Sequence, residues 1–198
     1  MTDMSSTQSF EVEQKFPLTG DVGEFVERLR TLGATEKGEI QQADRYFNHP
    51  VRDFAVTDEA LRIRSVGDQN WLTWKGPKID AKTKTRREIE LPLGDGAVTT
   101  EQLGEVLQIL AFHPVATVSK RRRQFSLQRD GWEFEIVVDE VEQVGSFAEV
   151  ELVAEKAKLE EAQQAVMKLG EELGLSQTER RSYLALLLEH QGHSGVGD

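Results

Sequence analysis

Hydrophobic and polar residues alternate along several stretches of the chain, which is the pattern of half-buried β-strands. The alternation covers residues 10–16, 44–47, 60–65, 70–74, 85–91, 117–127, 132–141 and 146–153. Between these stretches the apolar spacing changes to three and four residues. This spacing predicts helices at residues 21–32, 100–112, 156–173 and 178–190. Short turns join many of the strands, so we expect an α+β fold: a closed antiparallel barrel of about eight strands that forms a tunnel, flanked by helices.

Length, charge and cysteine content narrow the class of protein. The chain has 198 residues, a formal net charge of −11 and no cysteine. One domain over residues 1–198 is expected, with disordered ends at 1–8 and 192–198. The lack of cysteine excludes disulfides, thiolate-bound metals and a thiol nucleophile. The chain shows neither a signal peptide nor a membrane-spanning apolar run, and its acidity disfavours nucleic-acid and membrane partners, so a cytoplasmic location is expected.

A pair of glutamates recurs in three predicted strands, each of which precedes a predicted helix. The pairs are Glu11 with Glu13, Glu88 with Glu90, and Glu149 with Glu151. Such a weak internal repeat predicts three acidic pairs at separate points around the barrel wall.

Charged residues of both signs occupy one face of nearly every predicted strand. Residues two apart project to the same side, so Arg62 and Arg64 lie opposite Leu61 and Ile63. On a single strand this is the ordinary pattern of a solvent-facing surface. If the apolar faces of a whole barrel pack against helices, however, the charged faces must line a wet lumen, because unpaired buried charge costs several kcal/mol. Basic residues there suit a polyanion and acidic residues suit its divalent cation, which predicts a metal-bound triphosphate as ligand.

Motifs along nearly the whole chain resemble the CYTH superfamily, the triphosphate tunnel metalloenzymes. Glu11-Val-Glu-Gln-Lys15 is similar to the ExExK signature of that family. The further matches are Asp44-Arg-Tyr-Phe47, Ala60-Leu-Arg-Ile-Arg64, Leu72-Thr-Trp-Lys-Gly-Pro77, Arg87-Glu-Ile-Glu90, Lys120-Arg-Arg122, Asp139 and Phe147-Ala-Glu-Val-Glu151. Residues 46–64 look most like the class IV adenylyl cyclase branch. The resemblance implies either cyclisation of ATP to cyclic AMP and pyrophosphate, or hydrolysis of inorganic, thiamine or nucleoside triphosphates.

The resemblance also implies roles for individual residues. Carboxylates would hold Mg²⁺ or Mn²⁺: Glu11, Glu13, Glu88, Glu90, Glu149 and Glu151. Cationic side chains would bind the triphosphate: Lys15, Arg62, Arg64, Lys75, Arg87 (or its neighbour Arg86), Lys120 and Arg122. The expected catalytic set is Glu11, Glu13, Lys15 and Asp139, the last as an orienting or second metal-site carboxylate. No histidine stands where a general base is needed, so a carboxylate or a metal-activated hydroxyl is expected to move the proton.

Several features have a second interpretation. A non-catalytic module that binds polyphosphate or nucleotide is the rival class, although retained carboxylates would repel its ligand. Trp71, Trp74 and Trp132 could stack on a base, but strand tryptophans more often serve packing. Arg121 and Arg123 are expected to face solvent or ion-pair partners rather than nucleic acid. The leucines of the last helix, Leu184 and Leu186 to Leu188, suggest a homodimer interface.

Overall fold

Eight antiparallel strands form one curled sheet in the computed structural model, which describes residues 9–79 and 85–192. The strands are β1 (Ser9–Pro17), β2 (Thr35–Asn48), β3 (Ala60–Val66), β4 (Gln69–Lys75), β5 (Glu88–Pro92), β6 (His113–Arg129), β7 (Trp132–Val141) and β8 (Gly145–Glu155). The helices are α1 (Val22–Thr31), α2 (Phe54–Thr57), α3 (Ala97–Ile109), α4 (Leu159–Glu172) and α5 (Tyr183–His190). The ends predicted to be disordered, 1–8 and 192–198, lie outside the described residues except for Gly192, which is in a turn.

The sheet curls until its two edge strands meet. Its order is β1-β8-β7-β6-β2-β3-β4-β5, so β1 and β5 are the edges. An isolated bridge joins Glu11 to Arg86, and the Arg86 amide donates to the Glu11 carbonyl at 3.4 Å. The predicted antiparallel tunnel fold is confirmed, and in the described residues this bridge is the backbone closure between β1 and the segment that leads into β5.

Apolar residues on the outer face of the sheet pack against the helices. Val12, Phe125, Ile136 and Val150 share one core with residues of α1 and α4. A second core joins Ile63 and its outward neighbours to α2 and α3. Because these outward positions alternate with charged ones, burying them turns the charged residues of the same strands towards the concave side.

The C-terminal helix begins later than the apolar spacing predicts. Residues 178–190 were the expected range, but α5 starts at Tyr183, since the Ser182 hydroxyl caps it by accepting from the Ala185 amide at 3.0 Å. The preceding residues instead lie along β1, where the Glu179 amide donates to the Lys15 carbonyl at 2.7 Å. This arrangement brings the C-terminal segment to one end of the curled sheet.

The leucines of α5 face the protein itself. Leu186 and Leu187 are buried in a third core with Tyr46, Val118 and Phe147. Leu184 and Leu188 line the central cavity. These contacts remove the argument from the leucines, and the homodimer stays a prediction. No helix among the described residues is long and apolar enough to cross a bilayer.

Candidate active site

A cavity of about 840 Å³ occupies the concave side of the sheet. The charged residues of the sequence prediction that line it are Glu11, Glu13, Lys15, Arg62, Arg64, Lys75, Glu88, Glu90, Lys120, Arg122, Glu149 and Glu151. The inward orientation of these strand faces is confirmed, whereas the roles of the residues remain predictions. Several of the cations are deeply buried: Lys15 is 1% exposed and Lys120 is 3% exposed.

Three carboxylates form an acidic triad, Glu11, Glu13 and Glu151. One oxygen of each lies within 4.8 Å of the others, because Glu13 of β1 pairs directly with Glu151 of β8. Burial raises the pKa of Glu151 well above its usual value, and the neighbouring charge of Glu11 raises it further. Such a set of crowded oxygen donors fits a divalent cation, whose charge would relieve the repulsion.

Glu149 lies near the triad but has a different contact. Its Oε2 accepts a hydrogen bond from Arg122 Nη2 at 2.6 Å. In the strand register Glu149 stands opposite Lys15, one inward position away from the Glu13–Glu151 pair. The structure therefore groups Glu11 with Glu13 and Glu151, and it places Glu149 at the boundary between the carboxylates and the cations.

One or both members of each acidic pair meet at the seam, where β1 approaches the segment that leads into β5: these residues are Glu11, Glu13, Glu88 and Glu151. The expectation of separate points around the wall is therefore wrong. Lys75 of β4 bridges the seam, with its Nζ 2.6 Å from Glu11 Oε2 and 2.7 Å from Glu88 Oε2. Burial by itself lowers the pKa of Lys75, but Glu11 and Glu88 raise it overall. Glu90 is exposed and accepts from Thr73 Oγ1 at 3.2 Å.

We call the cavity-lining cations the basic wall: Lys15, Arg62, Arg64, Lys75, Lys120 and Arg122. Two buried aspartates hold four of these side chains in place. Asp44, 2% exposed, accepts from Arg64 Nε at 2.8 Å and from Arg62 Nη1 at 3.2 Å. Burial alone would raise the pKa of Asp44, but Arg62 and Arg64 hold it well below its usual value. Sequence reasoning matched Asp44 only as part of a motif, although its position on the inward face of β2 was available from the alternation.

Asp139 is the second of these aspartates, and its position is that of an orienting carboxylate rather than of a second metal-site carboxylate. It is 0% exposed and is absent from the residues that line the cavity. It accepts from Arg122 Nε at 2.7 Å and from Lys120 Nζ at 3.0 Å. Asp139 therefore lies behind these two cations and fixes their direction, as Asp44 does for Arg62 and Arg64.

Of the two arginines offered for the triphosphate, Arg86 and Arg87, one faces the cavity. Arg87 is exposed and does not line the cavity, whereas Arg86 does. The reason is the period of two along a strand, which puts Arg86 on the same face as the inward-facing Glu88. Arg87 therefore does not line the cavity as predicted, and its alternative Arg86 does.

One of the three tryptophans lines the cavity, whereas no described histidine does. Trp71 lines the cavity, while Trp74 donates to Glu59 Oε1 at 3.2 Å and Trp132 packs against the helical core. Of the tryptophans, Trp71 is thus the one placed to contact a ligand. No histidine in the described part of the chain lines the cavity, and His49 packs edge-on against Phe112 with ring centroids 5.1 Å apart.

Three described buried side-chain atoms lack a hydrogen-bond partner, and all three belong to cavity-lining residues. They are Arg62 Nε, Arg86 Nε and the Tyr183 hydroxyl. Buried polar groups in native proteins are nearly always paired, so a group of unpaired ones at a cavity indicates a ligand rich in hydrogen-bond acceptors. A phosphate chain has that property.

Burial, together with the charge of Arg122, lowers the pKa of Lys120 to about 8. Anion binding requires the charged ammonium, so we expect the affinity for metal-free inorganic triphosphate to fall as the pH rises through about 8. The fall should be up to about tenfold per pH unit for one proton. Calorimetric titrations from pH 6.5 to 9.5 would measure it. The Lys120→Arg variant, whose charge does not titrate, should lose this component; an identical pH profile in both proteins would contradict the assignment.

Comparisons of sequence and of structure with known proteins point to the same family. The sequence profile of the CYTH domain matches residues 9–183. The "Putative adenylate cyclase MJ0240" of Methanocaldococcus jannaschii is 36% identical over 182 residues, which are 89% of this chain and 97% of that protein. The solved structure of the PH1819 protein from Pyrococcus horikoshii superimposes with a TM-score of 0.79 at 40% identity, over 90% of this chain and 98% of that one.

A more distant structure shares the fold alone. It is the "putative adenylyl cyclase HpAC1" from Hippeastrum, for which a dominant triphosphatase activity is described. It is 14% identical with a TM-score of 0.63, over 91% of this chain and 95% of its own. Together with the tunnel fold and the charged cavity, the profile match and the relative in Methanocaldococcus show that this chain belongs to the CYTH domain family.

Proposed function

We propose that this protein is an adenylate cyclase that converts ATP into 3′,5′-cyclic AMP and pyrophosphate with the help of a divalent cation. The observation that carries the proposal is the meeting of two surfaces in one cavity: the acidic triad and the basic wall built on Asp44 and Asp139. The carboxylates would weaken the binding of a polyanion alone, and the lysines and arginines would weaken the binding of a cation alone. A metal-bound triphosphate satisfies both surfaces.

The size and lining of the cavity favour a nucleotide over a bare phosphate chain. About 840 Å³ is within the range of sites that hold drug-sized ligands, and uncharged residues such as Trp71 and Val66 line it beside the cations. The name of the relative in Methanocaldococcus supports the same choice. We also propose a cytoplasmic location, as the sequence predicts.

The chain's own residues would bind and orient the substrate. Lys75, Arg62, Lys120 and Arg122 present positive charge to the phosphates, and arginine can contact two phosphate oxygens at once. Glu11, Glu13 and Glu151 would hold Mg²⁺ or Mn²⁺, which supplies charge neutralisation at the phosphates and favours ionisation of a nucleophilic hydroxyl.

Cyclisation forms one bond and breaks one. The ribose 3′ oxygen bonds to the α-phosphorus, and the bond from that phosphorus to the α,β-bridging oxygen breaks, so pyrophosphate leaves. The hydroxyl proton passes to a carboxylate or to water, since no described histidine lines the cavity. The basic wall would stabilise the charge that develops on the leaving pyrophosphate.

A triphosphatase is the second candidate, because the same walls would hold the same phosphates while water attacks the terminal phosphorus. The activity described for HpAC1 keeps this candidate open. The two reactions differ in their need for the 3′-hydroxyl. A cyclase should consume ATP but leave 3′-deoxy-ATP intact, whereas a triphosphatase should hydrolyse both at similar rates. Equal consumption of the two nucleotides would overturn the cyclase proposal and favour the hydrolase.

A further inference from the structure

The C-terminal segment, which lines the cavity, holds Lys15 in place. Lys15 Nζ donates to the Arg181 carbonyl at 2.5 Å, and the backbone of Lys15 accepts from the Glu179 amide. The Ser182 cap then sets Tyr183 as the first residue of α5. A cavity lysine of β1 thus depends on residues near the other end of the chain.

The ring of Tyr183 contacts two cavity lysines from different strands. Lys15 Nζ lies 4.0 Å from the ring centroid and Lys120 Nζ lies 4.9 Å from it. Phe147 supports the ring in an edge-to-face contact with centroids 5.2 Å apart. Ammonium groups this close to an aromatic face are attracted by its quadrupole, more strongly when water is excluded. The ring therefore fixes two positive charges of the basic wall relative to each other.

The hydroxyl of Tyr183 is unsatisfied in the described structure. The residue is 7% exposed and its oxygen has no hydrogen-bond partner among the described residues. Burial raises the pKa of Tyr183 well above its usual value, and the charge of Glu149 raises it further, so the group stays protonated at neutral pH. A protonated phenol is a good donor to a phosphate oxygen, and a ligand that accepts this bond would remove the cost of the orphaned group.

We propose that Tyr183 is a triphosphate-binding residue: its ring positions Lys15 and Lys120, and its hydroxyl donates a hydrogen bond to a phosphate oxygen of the ligand. This inference rests on the proposed function only in taking a triphosphate as the ligand. It applies equally to the cyclase and to the triphosphatase.

Two variants separate the two parts of the proposal. Tyr183→Phe keeps the ring and removes the hydroxyl, and it should weaken the binding of inorganic triphosphate about tenfold, the usual effect of one hydrogen bond to a charged group. Tyr183→Leu removes the ring as well and should weaken binding further, to about fiftyfold. Isothermal titration with inorganic triphosphate measures both. The Leu187→Ala variant is the control, because Leu187 is buried in the same helix but does not line the cavity.

The melting temperature separates an effect on binding from an effect on folding. Removing an unsatisfied buried hydroxyl should leave the melting temperature of Tyr183→Phe unchanged or higher. Leu187→Ala should melt at a lower temperature and bind triphosphate as the wild type does. Unchanged affinity in Tyr183→Phe would overturn the role of the hydroxyl, and a Tyr183→Leu protein that binds triphosphate as tightly as Tyr183→Phe would overturn the role of the ring. A wild-type protein that binds no triphosphate would instead overturn the proposed function, and the Tyr183 proposal with it.

Discussion

Replacing Glu13 with glutamine is expected to lower turnover about a thousandfold while the protein stays folded. Glu13 is 6% exposed and its carboxylate belongs to the acidic triad with Glu11 and Glu151. The substitution keeps the shape of the side chain but removes one of the negative charges that would hold the cation. The affinity for Mn²⁺, measured by calorimetry, should fall in parallel with the turnover.

The stability of this variant separates a metal role from a structural one. Loss of one of three crowded like charges should leave the melting temperature unchanged or raise it. Glu140→Gln is the matched control, because Glu140 lies half-exposed on the same sheet and pairs with Arg121 at 2.6 Å outside the cavity. We expect wild-type turnover from this control. A Glu13→Gln protein with wild-type turnover would show that the triad does not hold the catalytic ion.

Replacing Arg122 is expected to have the second-largest effect. Arg122 bonds Asp139 and Glu149, so the Arg122→Ala variant leaves a fully buried Asp139 with Lys120 as its one cationic partner among the described residues. Breaking a buried ion pair in this way costs about 3–5 kcal/mol of stability. The same variant loses a cation of the basic wall, so both the melting temperature and triphosphate affinity should fall.

Arg122→Lys keeps the charge and provides the test if the alanine variant fails to fold. Lysine cannot reproduce the two parallel hydrogen bonds to Asp139, and we expect inorganic triphosphate to bind about tenfold to a hundredfold more weakly. The neighbouring Arg121 is the control, since it is exposed and pairs with Glu140. Arg121→Ala should leave binding and turnover unchanged; a large loss there would mean that β6 turns its other face inward.

Strand positions were predictable wherever one face of the strand is buried. The stretch 132–141 was predicted to the residue, because its outward residues are apolar and its turn is marked by Gly131. The first half of β2 was missed, since Thr35 to Gln41 are mostly exposed and show no alternation. Such a strand is held by its pairing with β6 rather than by its own pattern.

Which charged residues face the cavity was predictable from the sequence, but which of them contact one another was not. The period of two along each strand identified the inward charges from sequence. Which carboxylates become neighbours depends on strand register and on how far the sheet curls, and this brought Glu11, Glu88 and Glu151 to one seam. The buried position of Asp139 behind the cations follows from the same three-dimensional arrangement.

Tyr183 shows a second limit of sequence reasoning. It lies more than 160 residues from Lys15 along the chain, in a helix that was expected to begin five residues earlier. Its contact with the site depends on the Ser182 cap and on pairing of the preceding segment with β1. Local apolar spacing carries no information about such a long-range contact.

The most direct test of the central claim is a product analysis under control of the metal. Protein stripped with a chelator would be incubated with ATP and, separately, with inorganic triphosphate, before and after addition of Mg²⁺ or Mn²⁺, and all products separated by chromatography. We expect no turnover without metal, and cyclic AMP with an equal amount of pyrophosphate from ATP once metal is added. Orthophosphate with no cyclic AMP would assign the same cavity to triphosphate hydrolysis. Turnover in the chelator, or no turnover of either triphosphate with metal present, would contradict a metal-dependent triphosphate site in this tunnel.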